Sequence, residues 1–123
     1  MSDTPSEAVA VVEAYHRAWT TGDVDRALEH VAEESRCSAP GSDVMTKQDW
    51  ARYLGGFAPR LTGAPEHARM ADGDRVALWY FPQTEATTST LASELFTVRD
   101  GQIVEIHLAF DRLGYQPAGQ ETG

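Results

Sequence analysis

Apolar positions recur at helical spacing three times in the first half of the chain. Val9, Val12, Tyr15, Ala18 and Trp19 form one stripe, which predicts a helix over residues 6–21 with Ser6 as its N-cap. Gly22 ends it, because glycine accepts the left-handed backbone that closes many helices. Asp23 caps a second, shorter helix over residues 24–32, with Val24, Ala27, Leu28 and Val31 facing inward. Residues 36–39 read as a short strand closed by Pro40-Gly41. Thr46 caps a third helix, Asp49 makes a weak capping box with it, and Trp50, Tyr53, Leu54 and Phe57 form its stripe up to Pro59.

The second half changes period. Residues 66–70 read as a strand followed by an Asp72-Gly73-Asp74 turn. Residues 76–81 are a continuous apolar run, which predicts a strand covered on both faces. Residues 87–98 read as one long strand rich in Thr and β-branched side chains. Arg99-Asp100-Gly101-Gln102 is a strong hairpin signal, and residues 103–110 are the last strand. Helices first and antiparallel strands afterwards indicate an α+β domain.

Composition narrows the class. The 123 residues suit one domain with one core, expected over residues 6–115, with residues 1–5 loose and residues 116–123 a disordered tail. The net charge is −9 and no two of the ten basic residues are adjacent, which argues against a nucleic-acid partner. No long apolar run and no signal-peptide pattern are present, so no membrane partner is expected and a cytoplasmic location follows. Cys37 is the single cysteine, which excludes an intramolecular disulfide and a multi-thiolate zinc site. His30 and His67 lack partners at ligand spacing, and His16 and Arg17 are expected on the outer face of the first helix. Neither a metal nor a cofactor is expected.

Three phrases, in their order, resemble the nuclear transport factor 2-like superfamily, and its SnoaL-like and ketosteroid isomerase-like members in particular. Ala10-Val-Val-Glu-Ala-Tyr15-His-Arg-Ala-Trp19-Thr-Thr-Gly22-Asp23 is similar to the opening helix and its break. Asp100-Gly101-Gln102-Ile103-Val104-Glu105-Ile106 is similar to the last hairpin, and Phe110-Asp111-Arg112-Leu113-Gly114-Tyr115 to the ending of SnoaL-like members. The resemblance implies a cone: a curved mixed sheet, mostly antiparallel, wrapped around three N-terminal helices. It also implies an apolar pocket for a small organic ligand and a homodimer through the outer sheet face.

The same resemblance puts Tyr15 where ketosteroid isomerases hold the oxyanion-hole tyrosine, and Glu94 near the position of its protonated acid. Ketosteroid isomerase is a worked case of pKa tuning: an Asp base moves a proton while a Tyr and a protonated Asp hold the oxyanion. The chain departs where the catalytic Asp should stand, because Ala39 precedes Pro40 there, and a methyl group cannot take a proton. Ser38 and Asp43 lie near but do not match. Asp111 matches the acid or base Asp of SnoaL-like cyclases, and His107, four residues earlier on the same strand, shares its face at roughly 13 Å. The two comparisons conflict: one turns Ile106, Leu108 and Phe110 inward, the other His107 and Asp111. The closer match of the Asp111-Arg112-Leu113-Gly114 phrase favours the second. Trp19, Trp50, Tyr53, Phe57, Leu78, Tyr80 and Phe96 are expected either as plain core or as the aromatic wall of the pocket. Two functions follow: a cofactor-independent enzyme cyclising, isomerising or dehydrating a polyketide-, steroid- or terpenoid-like substrate, or a non-catalytic ligand-binding or dimerisation module.

Overall fold

The structure is a computed structural model and describes residues 4–115. Helix α1, Pro5–Thr20, starts four residues before the first position of the hydrophobic stripe, Val9, because Thr4 caps it. The Thr4 hydroxyl accepts from the Glu7 N–H while the Glu7 carboxylate turns back to Thr4, a complete capping box with Pro5 in the first turn. The cap is therefore Thr4 rather than Ser6, and Pro5 opens the first turn. The expectations for residues 1–3 and 116–123 lie outside the described residues.

Helix α2, Val24–Leu28, is one turn long and is capped by Asp23, whose carboxylate accepts from the Arg26 N–H. The expected continuation to residue 32 is replaced by strand β1, Val31–Ser38. Pairing with a distant strand outweighs a local pattern of only four apolar residues. Helix α3, Lys47–Phe57, begins at Thr46 as expected, and Trp50 and Leu54 are buried on its inner face. Strands β2 (Glu66–Asp72), β3 (Arg75–Tyr80), β4 (Ala92–Arg99) and β5 (Gln102–Ala109) follow.

Strand β4 starts five residues later than the β-branched run predicts. The start of that run bonds locally instead: Thr87 Oγ1 accepts from Ser89 N–H and lies 3.1 Å from Thr90 Oγ1, and just before the run Thr84 Oγ1 accepts from Ala86 N–H. Such turns offer the backbone an alternative to the ladder. The β4–β5 hairpin forms where Asp100-Gly101 predicts it, with both residues at positive φ (53° and 76°), the backbone of a type I′ turn.

The five strands form one mixed sheet in the order β1-β5-β4-β3-β2. β1 runs parallel to β5 and the other pairs are antiparallel, so β1 is not part of a simple meander. Register shifts between Val31 and Arg36, between Glu66 and Ala68, and between Thr97 and Val98 interrupt the ladders. Irregularities of this kind bend strands and raise twist, and the sheet is curved but unclosed. Its concave face carries Val76, Leu78, Tyr80, Glu94, Phe96 and Ile106, all buried under α1 and α3. On the convex face Ala77, Trp79 and Leu95 are only half-buried, so β3 is fully covered on one side alone.

Candidate functional site

The concave face holds one charged side chain at full depth. Strand β4 places Glu94 between Leu78 of β3 and Leu108 of β5, and it is 2% exposed. The Tyr80 hydroxyl donates to its Oε1 at 2.5 Å. The other oxygen, Oε2, receives no hydrogen bond from the described residues. Burial pushes the carboxyl up to about 7, and the Tyr80 hydrogen bond opposes part of that rise. A carboxyl poised near neutrality both gives and takes a proton readily.

Aromatic hydroxyls surround the carboxyl. Tyr15, wholly buried on α1, accepts a hydrogen bond from the Trp50 indole N–H at 2.8 Å and meets the Phe96 ring edge-on at 5.7 Å. Burial raises its phenol well above the ordinary range, the nearby Glu94 charge adds to this, and the Trp50 bond works against it. Tyr80 is raised by burial and then by Glu94. Tyr53, half-buried on α3, is pushed up to about 12 by burial first and Glu94 second. These phenols are donors at any physiological pH.

Glu94 borders a narrow hollow of about 20 Å³ whose wall includes Trp19, Tyr53, Phe57, Tyr80, Phe110 and Tyr115, with Leu54, Pro82 and Leu108. That is room for about one water, whereas a small-molecule site usually needs roughly 300 Å³ or more. Three rings close its outer end: Tyr115 packs edge-on against Phe57 and Phe110 at 5.4 and 5.3 Å. Tyr115 sits in a short 3₁₀ turn, Arg112–Tyr115, that is tied down where its hydroxyl donates to the Pro82 carbonyl (2.6 Å) and Arg60 donates to its carbonyl (3.2 Å). The Trp19 indole N–H is buried and has no acceptor among the described residues. A larger depression of about 870 Å³ lies outside, between residues 59–62, 84–87 and 113–115. It is open to solvent and contains no buried carboxyl.

The structure brings Glu94 and Tyr15 into electrostatic contact, but Tyr15 lies behind the hollow rather than on its wall. Trp19, Tyr53, Phe57 and Tyr80 border the hollow. Trp50 and Phe96 instead pack around Tyr15, and Leu78 lines a shallow groove on the far side of α1. His107 and Asp111 do not face inward. The register pairs Phe96 with Ile106 and Glu94 with Leu108, so Ile106, Leu108 and Phe110 turn toward the helices and the favoured expectation is reversed. His107 lies on the convex face, where its Nδ1 is 2.9 Å from Ser38 Oγ and its Nε2 3.7 Å from Glu105. The Asp111 carboxylate accepts from the Leu113 N–H in solvent.

His16 also departs from expectation. It packs against Tyr80 (ring centroids 4.6 Å apart) and Trp19 (5.9 Å), and among the described residues neither ring nitrogen has a hydrogen-bond partner. Burial, then the Arg69 charge, lowers its imidazole to about 4. Its spacing from Val12 and Trp19, four before and three after, is the signal that placed it inward. Tyr80 as the partner of Glu94, and Tyr115 as the closing ring, are the functional positions that periodicity did not single out. Among the described residues no group of three His, Cys, Asp or Glu side chains is placed to hold a metal, and no helix is long and apolar enough to cross a membrane.

The sequence profile of the SnoaL-like domain matches residues 12–106, well over half of the chain. A crystal structure of a protein from Kribbella flavida DSM 17836 is 31% identical, with a TM-score of 0.81 over 86% of this chain and 88% of that one. An NTF2-like protein of unknown function from Cytophaga hutchinsonii ATCC 33406 is 19% identical, with a TM-score of 0.74 over 86% and 91%. An LEH-like epoxide hydrolase from M. tuberculosis is 21% identical, with a TM-score of 0.72 over 89% and 86%. The last two share the fold and carry no further argument. A comparison with curated protein sequences gives no significant match.

Proposed function

Because the chain belongs to the SnoaL-like domain family, within the NTF2-like superfamily, we propose that it is a cofactor-independent acid–base enzyme acting on a small, largely apolar organic substrate in the hollow beside Glu94. The supporting observation is the wholly buried Glu94 carboxyl, poised near neutrality, with one oxygen held by Tyr80 and the residue bordering an aromatic-walled space. In this reading the Glu94 carboxylate takes a proton from carbon next to a carbonyl. The bonding electrons move onto the carbonyl oxygen, and the same carboxyl returns the proton to a second carbon, so isomerisation needs no external reagent. Tyr80 orients the carboxyl. Tyr15 tunes it through the field rather than by touching substrate, and the Trp19 N–H, which lacks an acceptor, is the donor available to an oxygen.

Substrate entry requires Phe57, Phe110 and Tyr115 to swing outward, because one water's volume cannot hold a carbon skeleton. His107 and Asp111, on the outside, have no part in this mechanism. A non-catalytic binding module is the second reading, favoured by the methyl group at Ala39 and by the closed hollow. We also infer a second copy of the chain against the convex face, supported by half-buried Trp79 and Leu95 and by Met70, which is 66% exposed.

The test is proton exchange. The protein is incubated in deuterium oxide with a panel of β,γ-unsaturated ketones, and deuterium entry at carbon is followed by NMR. The wild type should accelerate exchange for members that fit, and Glu94→Gln should lose at least about a hundredfold, the size of a general acid–base contribution. Equal exchange in both proteins would leave the binding module.

A further inference from the structure

We propose that the ligand of the hollow is a cation: an apolar amine whose ammonium group sits against Glu94 inside the ring of aromatic side chains. This rests on the reading that the hollow is the ligand site, and it specifies the substrate class. Glu94 is a buried carboxyl without a basic partner; among the described residues its one hydrogen bond comes from the Tyr80 hydroxyl. A buried carboxylate is ordinarily paired with a cation or left protonated, since an isolated buried charge is very costly. Among the described residues no cation reaches this carboxyl, so the ligand can supply one.

The wall supports the same conclusion. Six of the ten residues bordering the hollow are Trp19, Tyr53, Phe57, Tyr80, Phe110 and Tyr115, and the faces of such rings attract ammonium groups within about 6 Å. A neutral ketone would use one or two donors and leave most of this ring chemistry unused. The net charge of −9 also raises the local concentration of cations around the molecule. Arg60 and Arg112 stand outside the closing rings, beside Tyr53, Phe57, Phe110 and Tyr115. Arg60 is already engaged with the Phe57 face and the Tyr115 carbonyl, and neither guanidinium acts on the Glu94 carboxyl. Glu94 is the one ionisable acid on the wall, and the phenols beside it stay neutral. An ammonium ligand would hold Glu94 ionised at neutral pH, which supplies the carboxylate base missing at Ala39.

The experiment compares benzyltrimethylammonium with its uncharged carbon isostere, neopentylbenzene, by isothermal titration calorimetry on the wild type and Glu94→Gln. The cation should bind the wild type at least tenfold more tightly than the isostere near pH 8. In Glu94→Gln this preference should disappear while the isostere binds as before. Near pH 6, two buffers of different ionisation enthalpy should reveal a proton released from Glu94 as the cation enters. Equal or tighter binding of the isostere by the wild type overturns the cation proposal and leaves the hollow as the site. A cation preference that survives in Glu94→Gln overturns it as well, by placing the charge recognition elsewhere. If neither probe binds, both the cation proposal and the reading of the hollow fail.

Discussion

Replacing Glu94 by Gln keeps the shape and the acceptor for Tyr80 but removes the titration, which gives the burial of this group a measurable size. The carboxyl is pushed from its ordinary 4.5 to about 7. The folded chain therefore holds that proton roughly 300-fold more tightly than the unfolded chain, or about 3 kcal/mol. The sign follows from which state carries the proton. Between pH 4.5 and about 7 the folded state keeps a proton that the unfolded state has released. The contribution of Glu94 is complete below 4.5, declines as pH rises, and is lost above about 7. His16 works in the opposite direction: its imidazole is lowered to about 4, so it contributes fully above 6.5 and loses its contribution as pH falls toward 4. The wild-type profile mixes the two, but the difference between wild type and Glu94→Gln isolates the carboxyl. Urea unfolding followed by tryptophan fluorescence, from about pH 4 to about pH 8.5, should show the variant gaining on the wild type by about 3 kcal/mol across that range. A difference that stays flat with pH would mean that Glu94 is solvated in the folded chain, and the reasoning from burial would be refuted.

Other substitutions test separate parts of the structure. Tyr15→Phe strands the buried Trp50 N–H and should cost about 1–3 kcal/mol in chemical denaturation. His16→Leu removes two buried nitrogens that have no partners; it should raise the melting temperature and abolish the loss of stability between pH 6.5 and 4. Thr46→Ala removes the side-chain cap of α3 and should cost about 1 kcal/mol by urea unfolding. Tyr115→Ala should cost roughly 3 kcal/mol and open the hollow, read as stronger fluorescence from an apolar dye such as anilinonaphthalene sulfonate.

Much of the fold was legible because local and tertiary preferences agree. The α1 and α3 stripes, the Thr46 cap and the Asp100-Gly101 turn each specify backbone geometry without help from distant residues. The failures lie where long-range pairing decides. Val31 continues a helical stripe but pairs with Ile103 of β5 instead, and Thr84 and Thr87 have strand-like side chains that bond to nearby backbone. The site was half legible. Glu94 could be singled out as a carboxyl among apolar neighbours, but alternation alone gives either face of β5. A bulge at Thr97 and Val98 moves the register without a mark in the sequence, so His107 and Asp111 could not be placed. The distance from Tyr80 to Glu94 follows from the β3–β4 register and from side-chain reach, which no periodicity contains.

The most direct measurement is a crystal structure of the protein soaked with 2-naphthol, an uncharged aromatic probe with one hydroxyl. The predicted complex has the naphthalene between Trp19, Tyr53 and Tyr80, its hydroxyl within hydrogen-bond distance of Glu94 Oε2, and Tyr115 displaced outward. Naphthol found only in the outer depression near Thr84–Thr87, with the rings of Phe57, Phe110 and Tyr115 still closed over Glu94, would contradict the account.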